Sequence, residues 1–261
     1  MTEKVKKNNL DEFIKVPDFN ELEGHGGAFI VAPLDQYTVF AKEDFSEEQN
    51  MFASTAKEFA LNSIKPVNDD LKVLNKDLSL KLFKEAGDLG FLGIDIPEEY
   101  GGLGLNMTEE IEVAICLGAT TPAFRSVFGT NIGIGSQGII IDGTEEQKKH
   151  YLPKLATGEI ISSFALTEPE AGSDAGSLKT RAVKKGKNYI LNGTKRYITN
   201  APSADIFTLM ARTDPETSSA EGITAFIVER KTKGLKVGTP DRKMGQQGAK
   251  TADVILQDCV V

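Results

Sequence analysis

Apolar positions recur along this chain at two different periods, and the change from one to the other divides it. Phe52, Ala56, Phe59 and Ala60 return every three to four residues, as on the inward face of a helix, and Ser46 with Gln49 has capping-box spacing ahead of them. Pro66 is expected to end that helix. A second helix is predicted from about Leu78 to Leu89, with Leu82, Phe83, Ala86 and Leu89 on one stripe, Gly90 just past its end and Phe91 folding back over it. Asn106 with Glu109 opens a third helix that carries Ile111, Ala114, Ile115 and Leu117. A fourth covers about Pro122 to Ile141, and Thr144 with Gln147 opens a short one expected to stop at Pro153.

From about Ile160 the period falls from 3.6 to 2. Val, Ile, Tyr, Phe and Thr enrich the runs ISSFALT, Tyr189 to Leu191, Arg196 to Thr199, Ile206 to Ala211, Ile223 to Val228, Leu235 to Val237 and Asp253 to Leu256. Lys185, Gly186, Lys187 and Asn188 read as a hairpin turn. Short strands in succession imply a small antiparallel barrel or sandwich. The expected fold class is therefore α+β: a leader over 1–44 that docks as a strap, an all-helical domain over 45–160, and an antiparallel β-barrel domain over 161–261. Within the leader, Gly24 to Gly27 is turn-rich and precedes a short apolar run, Ala28 to Ala32.

Composition narrows the classes without choosing one. With 261 residues, 40% apolar and 26% charged, the chain has the make-up of a globular protein able to bury one large core or two smaller ones. A formal charge of -8 argues against a nucleic-acid surface, which needs a basic face. No apolar run approaches the roughly 20 residues of a membrane helix. The opening MTEKVKKNNLDEF fits neither a secretory signal nor a transit peptide, so the expected location is cytoplasmic. Cys116 and Cys259 are far apart, and with only His25 and His150 the chain offers few ligands for zinc and little basis for a Ser-His-Asp hydrolase.

The chemistry concentrates between Ala165 and Ser177, ALTEPEAGSDAGS, where a strand runs into a loop of small, hydroxyl-bearing and acidic residues. Glycines there let backbone N–H groups approach a ligand, and Ser and Thr add hydroxyl donors. Two other patterns are weaker. Gly133, Gly135 and Gly138 satisfy GxGxxG, but a dinucleotide fingerprint needs a strand before it and a full helix after it, so close packing is the preferred reading. Glu98 and Glu99 in PEEYGGLG read as a solvated turn rather than an acid–base pair.

Phe164, Ala165, Leu166, Thr167, Glu168, Gly172, Ser173 and Asp174 resemble the first signature of the acyl-CoA dehydrogenase flavoproteins. About thirty residues on, KRYITN, Lys195 to Asn200, resembles that family's second flavin-contacting strand. PEEYGGLG, GTEEQKKHYLPKLATGE, ADIFT and RKMG look closest to the long-chain and very-long-chain branch. The resemblance implies an FAD enzyme that converts a fatty acyl-CoA to a trans-2-enoyl-CoA in β-oxidation and passes electrons to an electron-transfer flavoprotein. It implies flavin contacts from Phe164, Ala165, Leu166, Thr167, Ser173, Tyr197, Ile198 and Thr199, with Ser173 also toward the CoA substrate. Tyr197 stands where the family often has Trp, and Ala201 and Pro202 where it has a Gly pair. The family's C-terminal four-helix bundle, expected to be absent here, would carry the α-proton base and most of a dimer or tetramer interface, so no catalytic base is assigned. A non-catalytic binding or assembly module, an acyl-CoA oxidase and a flavin monooxygenase of the same superfamily are the alternatives.

Overall fold

The computed structural model describes Ile30 and residues 41–73, 76–217 and 219–261. The expected strap, with its Gly24 to Gly27 turn and His25, lies almost wholly outside the described residues. Of the first of the two units into which the chain divides, up to Glu48, the described part includes a single 3-10 turn, Lys42–Asp44. Gln49–Val261 forms the other.

Helix α1 (Glu47–Phe59) buries Ala53, Ala56 and Phe59. Pro66 does not end the helical path: a π turn (Ala60–Ile64) and a 3-10 turn (Lys65–Val67) carry it into α2 (Asn68–Lys72), because proline at the start of a new turn gives up only an N–H that would have had no partner. Helix α3 (Lys76–Asp88) ends at Gly90, whose φ of 82° is the left-handed C-terminal cap expected of it, and Phe91 is fully buried behind it. Helix α4 (Met107–Gly118) starts on the Asn106–Glu109 capping box. The fourth expected helix is three pieces: α5 (Pro122–Gly129), a π-helical stretch (Thr130–Gly135) and α6 (Gln137–Asp142). Helix α7 (Glu145–Ala156) opens on the Thr144–Gln147 box and runs through Pro153 to Ala156, its last turn closed by Thr157 N–H to the Pro153 carbonyl.

The strands form one seven-stranded sheet: β1 (Ser162–Ala165), β2 (Arg181–Lys185), β3 (Asn188–Thr199), β4 (Ile206–Arg212), β5 (Ile223–Glu229), β6 (Leu235–Val237) and β7 (Thr251–Val260). Its order is β1-β4-β2-β3-β7-β6, with β5 on β4. The sheet is mixed, which corrects the antiparallel expectation. β1 pairs parallel to β4 over Ser162–Ala165, and β2 touches β4 in parallel at Arg181 and Arg212. Both strands share one edge of β4, and alternation alone cannot reveal that, since it says which face a residue takes and not which way its neighbour runs. The gap between them is where residues 166–180 leave the sheet.

Helices and sheet meet at the π stretch. The Ser162 N–H donates to Asn131 Oδ1 at 2.7 Å, the Thr208 hydroxyl to the Gly135 carbonyl at 2.7 Å, and Asn200 Nδ2 to the Val127 carbonyl at 2.9 Å. A Cβ on Gly135 would collide with Ser162 Oγ, and one on Gly138 would lie 3.0 Å from Thr208 Cγ2. Gly135 and Gly138 therefore serve close helix–sheet packing, while a Cβ on Gly133 would meet only Glu110 Oε1 at 3.8 Å, and no dinucleotide turn is formed. Among the described residues no helix is long and apolar enough to cross a membrane.

Candidate functional site

The two motifs lie thirty residues apart in sequence and side by side in space. The Ser163 hydroxyl donates to the Thr199 carbonyl at 2.5 Å, and the Arg196 N–H donates to the Thr167 carbonyl at 2.7 Å. The continuation of β1 through Leu166 and Thr167 thus runs along the last turn of the β3 ladder. Ala165 and Ile198 are buried in the sheet core, so any ligand contact they make is through their backbone. Phe164, Leu166, Thr167 and Thr199 are half-buried, and Ser173 is exposed near the tip of the loop. The hydroxyls of Thr167, Ser173 and Thr199 have no protein partner among the described residues.

A bulge sets the direction of Tyr197. Lys195 pairs with Val254 and Ile198 with Ala252, so β3 holds one more residue than β7 across this interval. Tyr197 takes φ of 57°, left-handed backbone that is uncommon for an aromatic residue. The extra residue lets both Lys195 and Ile198 point inward while the Tyr197 ring stays 60% exposed. Arg196, ion-paired to Asp253 at 3.0 Å, lies over that ring at 4.7 Å.

Beneath the motifs sits an ion pair that neither motif announces. Lys195 has no exposed surface, and its Nζ donates to Glu168 Oε1 at 2.7 Å and to the Leu166 carbonyl at 3.1 Å. Glu168 also accepts from the N–H groups of Lys179 (2.5 Å) and Thr180 (2.9 Å). Burial by itself would raise the Glu168 pKa, but the lysine and the two amides outweigh it and hold the carboxyl below its usual range. Burial pulls Lys195 below the ordinary lysine value, with Glu168 pulling it back. Arg212 anchors the same loop through the carbonyls of Gly176 and Leu178. Period-2 spacing from Leu191 through Gly193 to Lys195 was the available sign that this lysine points inward and needs a counter-charge.

A groove of about 330 Å³ opens beside Thr199, walled by Arg125, Ser126, Thr130, Ile134 and Lys243. That is the lower end of the size range for small-ligand sites. Its two cations suit an anionic ligand, and Ile134, half exposed, supplies apolar surface.

Comparison with known proteins gives the same pairing of domains. Residues 46–159 match the acyl-CoA dehydrogenase N-terminal domain, and residues 163–259 match the acyl-CoA dehydrogenase middle domain. A probable acyl-CoA dehydrogenase of Bacillus subtilis is 41% identical over 240 residues, which is 90% of this chain and 39% of that protein. The human mitochondrial very long-chain specific acyl-CoA dehydrogenase is 40% identical over 222 residues, 81% of this chain and 33% of that protein. Among solved structures, the acyl-CoA dehydrogenase of Bacillus anthracis complexed with FAD superposes with a TM-score of 0.82 at 42% identity, covering 90% of this chain and 40% of that one. The chain thus spans about two-fifths or less of the length of these relatives.

Proposed function

The chain belongs to the acyl-CoA dehydrogenase family, and from that membership we propose that it provides the flavin-side wall and part of the acyl-thioester groove of an FAD-dependent acyl-CoA dehydrogenase. The substrate class is a fatty acyl-CoA, converted to the trans-2-enoyl-CoA, with a long chain favoured by the likeness to the very long-chain relative. A separate electron-transfer flavoprotein is the electron acceptor in this reading, and the complete protein is a homo-oligomer. The single observation that carries the assignment is the adjacency of the Phe164–Thr167 and Tyr197–Thr199 segments, joined through Ser163 and Arg196.

FAD is the family's cofactor, and the residues present fit it. Unpartnered hydroxyls on Thr167 and Thr199 are donors for the heteroatoms of a flat ring, and the exposed Tyr197 side chain is an aromatic face for it to lie against. Phe164, Ala165, Leu166 and Ile198 contribute backbone at the same edge, and Ser173 reaches the phosphate-bearing parts of the ligands. When bound, FAD supplies the acceptor for the hydride leaving the β carbon. Arg125 and Lys243 hold the anionic end of the thioester in the groove, while Ile134 keeps water from its apolar part. Glu168 is excluded as the α-proton base, because Lys195, Lys179 and Thr180 occupy its oxygens. No other described residue is assigned that role.

Titration of the chain with FAD, followed by flavin fluorescence and absorbance, tests this. Saturable one-to-one binding is expected, weakened about three- to tenfold by Thr167→Val or Thr199→Val, each of which removes one hydroxyl donor. Anaerobic palmitoyl-CoA should perturb the bound-flavin spectrum more than butyryl-CoA. No saturation up to about 100 µM FAD, a Kd equivalent to roughly -5.5 kcal/mol, would sink the assignment.

A further inference from the structure

We propose that Lys195 is a positioning residue: with Glu168 it fixes the peptide between Leu166 and Thr167 so that the Thr167 N–H is held ready as a donor to the flavin. The proposal rests on the flavin reading above and deepens it. Lys195 lies at the start of the β3 bulge, two residues before Tyr197, and its fully buried ammonium donates to the Leu166 carbonyl at 3.1 Å. The peptide bonds of the described chain are trans, so the Thr167 N–H points opposite to the carbonyl that the lysine holds. Drawing Leu166 O toward the buried ammonium directs the Thr167 N–H away from it. That N–H has no backbone partner among the described residues.

Glu168 closes the arrangement at its other end. Its two oxygens take the N–H groups of Lys179 and Thr180, the residues by which the loop rejoins β2, so one carboxylate ties the exit of the loop to its return. The ten residues between, with Ser173 near the tip, project from a base whose entry is held by Lys195 and whose return is held by Glu168. Stability alone does not account for such a pair. Two buried charges lose much of their hydration, and well-packed apolar residues of similar volume are commonly as stable or more so. Apolar side chains cannot, however, set the direction of a carbonyl. An ammonium with one proton on Glu168 and one on Leu166 O can.

The charge-free double variant K195M/E168Q separates the two roles, because Gln keeps an acceptor for the Thr180 N–H while Met removes the hold on Leu166. Thermal melting and FAD titration would be run on the full chain. If Lys195 positions the peptide, the double variant still melts cooperatively, its FAD Kd rises by about tenfold or more, and the fine structure of the bound-flavin absorbance is lost. An unchanged Kd and an unchanged flavin spectrum, whatever the melting temperature does, would overturn the proposal while leaving the flavin reading intact. Failure of the unaltered chain to bind FAD would overturn that reading and this proposal with it. Hydrogen exchange on the unaltered chain decides the matter if the double variant does not fold. The Lys179 and Thr180 amides should be protected as strongly as those of β3 before any FAD is added, and rapid exchange there would rule out a preformed clamp.

Discussion

Asp95 carries a buried carboxylate oxygen, Oδ1, with no partner, while Oδ2 accepts from Gln137 Nε2. Burial, with the nearby Glu110 adding to it, pushes this carboxyl up to about 6. The folded chain therefore keeps the Asp95 proton to higher pH than the unfolded chain does. Its contribution to stability is complete below the ordinary aspartate value of about 4 and is lost as pH rises to about 6. Asp95→Asn should accordingly raise stability at pH 7 by about 1 to 2 kcal/mol, after a discount for partial exposure, and change little near pH 4. Denaturant melts at the two pH values measure it, and equal effects at both would contradict the assignment. At this scale the sequence was partly legible. Glu168 and Lys195 each sit in a motif, but their mutual contact spans 27 residues, and no local rule joins them. Strict alternation also misses Tyr197, because the bulge turns its ring outward while keeping Lys195 and Ile198 in.

Elements with strong terminal signals came out where the sequence put them. Asn106, Thr144 and Gly90 act within one turn, so their meaning survives whatever the rest of the chain does. Pro66 and Pro153 mark no boundary, since the flanking chain re-forms its hydrogen bonds around each of them. The break in the helix after Gly129 had no local mark either. The π stretch widens the helix where Asn131 and Gly135 must bond to Ser162 and Thr208 of the sheet. Gly135→Ala tests that view, because the new Cβ would meet Ser162 Oγ and the Thr130 carbonyl. The expected loss is about 1 to 3 kcal/mol. Gly118→Ala, with nothing within 4 Å of the added methyl, should be neutral or gain up to about 1 kcal/mol. Chemical denaturation of the pair gives the comparison, and similar values for both would remove the packing argument.

At the scale of the molecule, apolar surface remains open to solvent: Ile134 and Tyr197 at the proposed flavin site, and Ile141 on α6, are all more than half exposed. Met107, Ile111 and Ile115 add an exposed row along α4 at four-residue spacing. Patches of this kind are sticky, and the net charge of -8 opposes contact. Sedimentation velocity should therefore report self-association that grows with protein concentration and with salt, and that M107K/I111E/I115K suppresses. A single monomeric species under all these conditions would refute it. The sequence by itself determined the helix-then-strand order, the capped helix ends and the two signatures, because each is written in residues a few positions apart. Tertiary structure alone decided that β1 and β2 run parallel along one edge of β4, that the signatures meet, and that a lysine and a glutamate lock them from below. Those outcomes depend on pairing between distant strands and on the cost of burying charge without a partner, and both are properties of the closed chain rather than of any stretch of it.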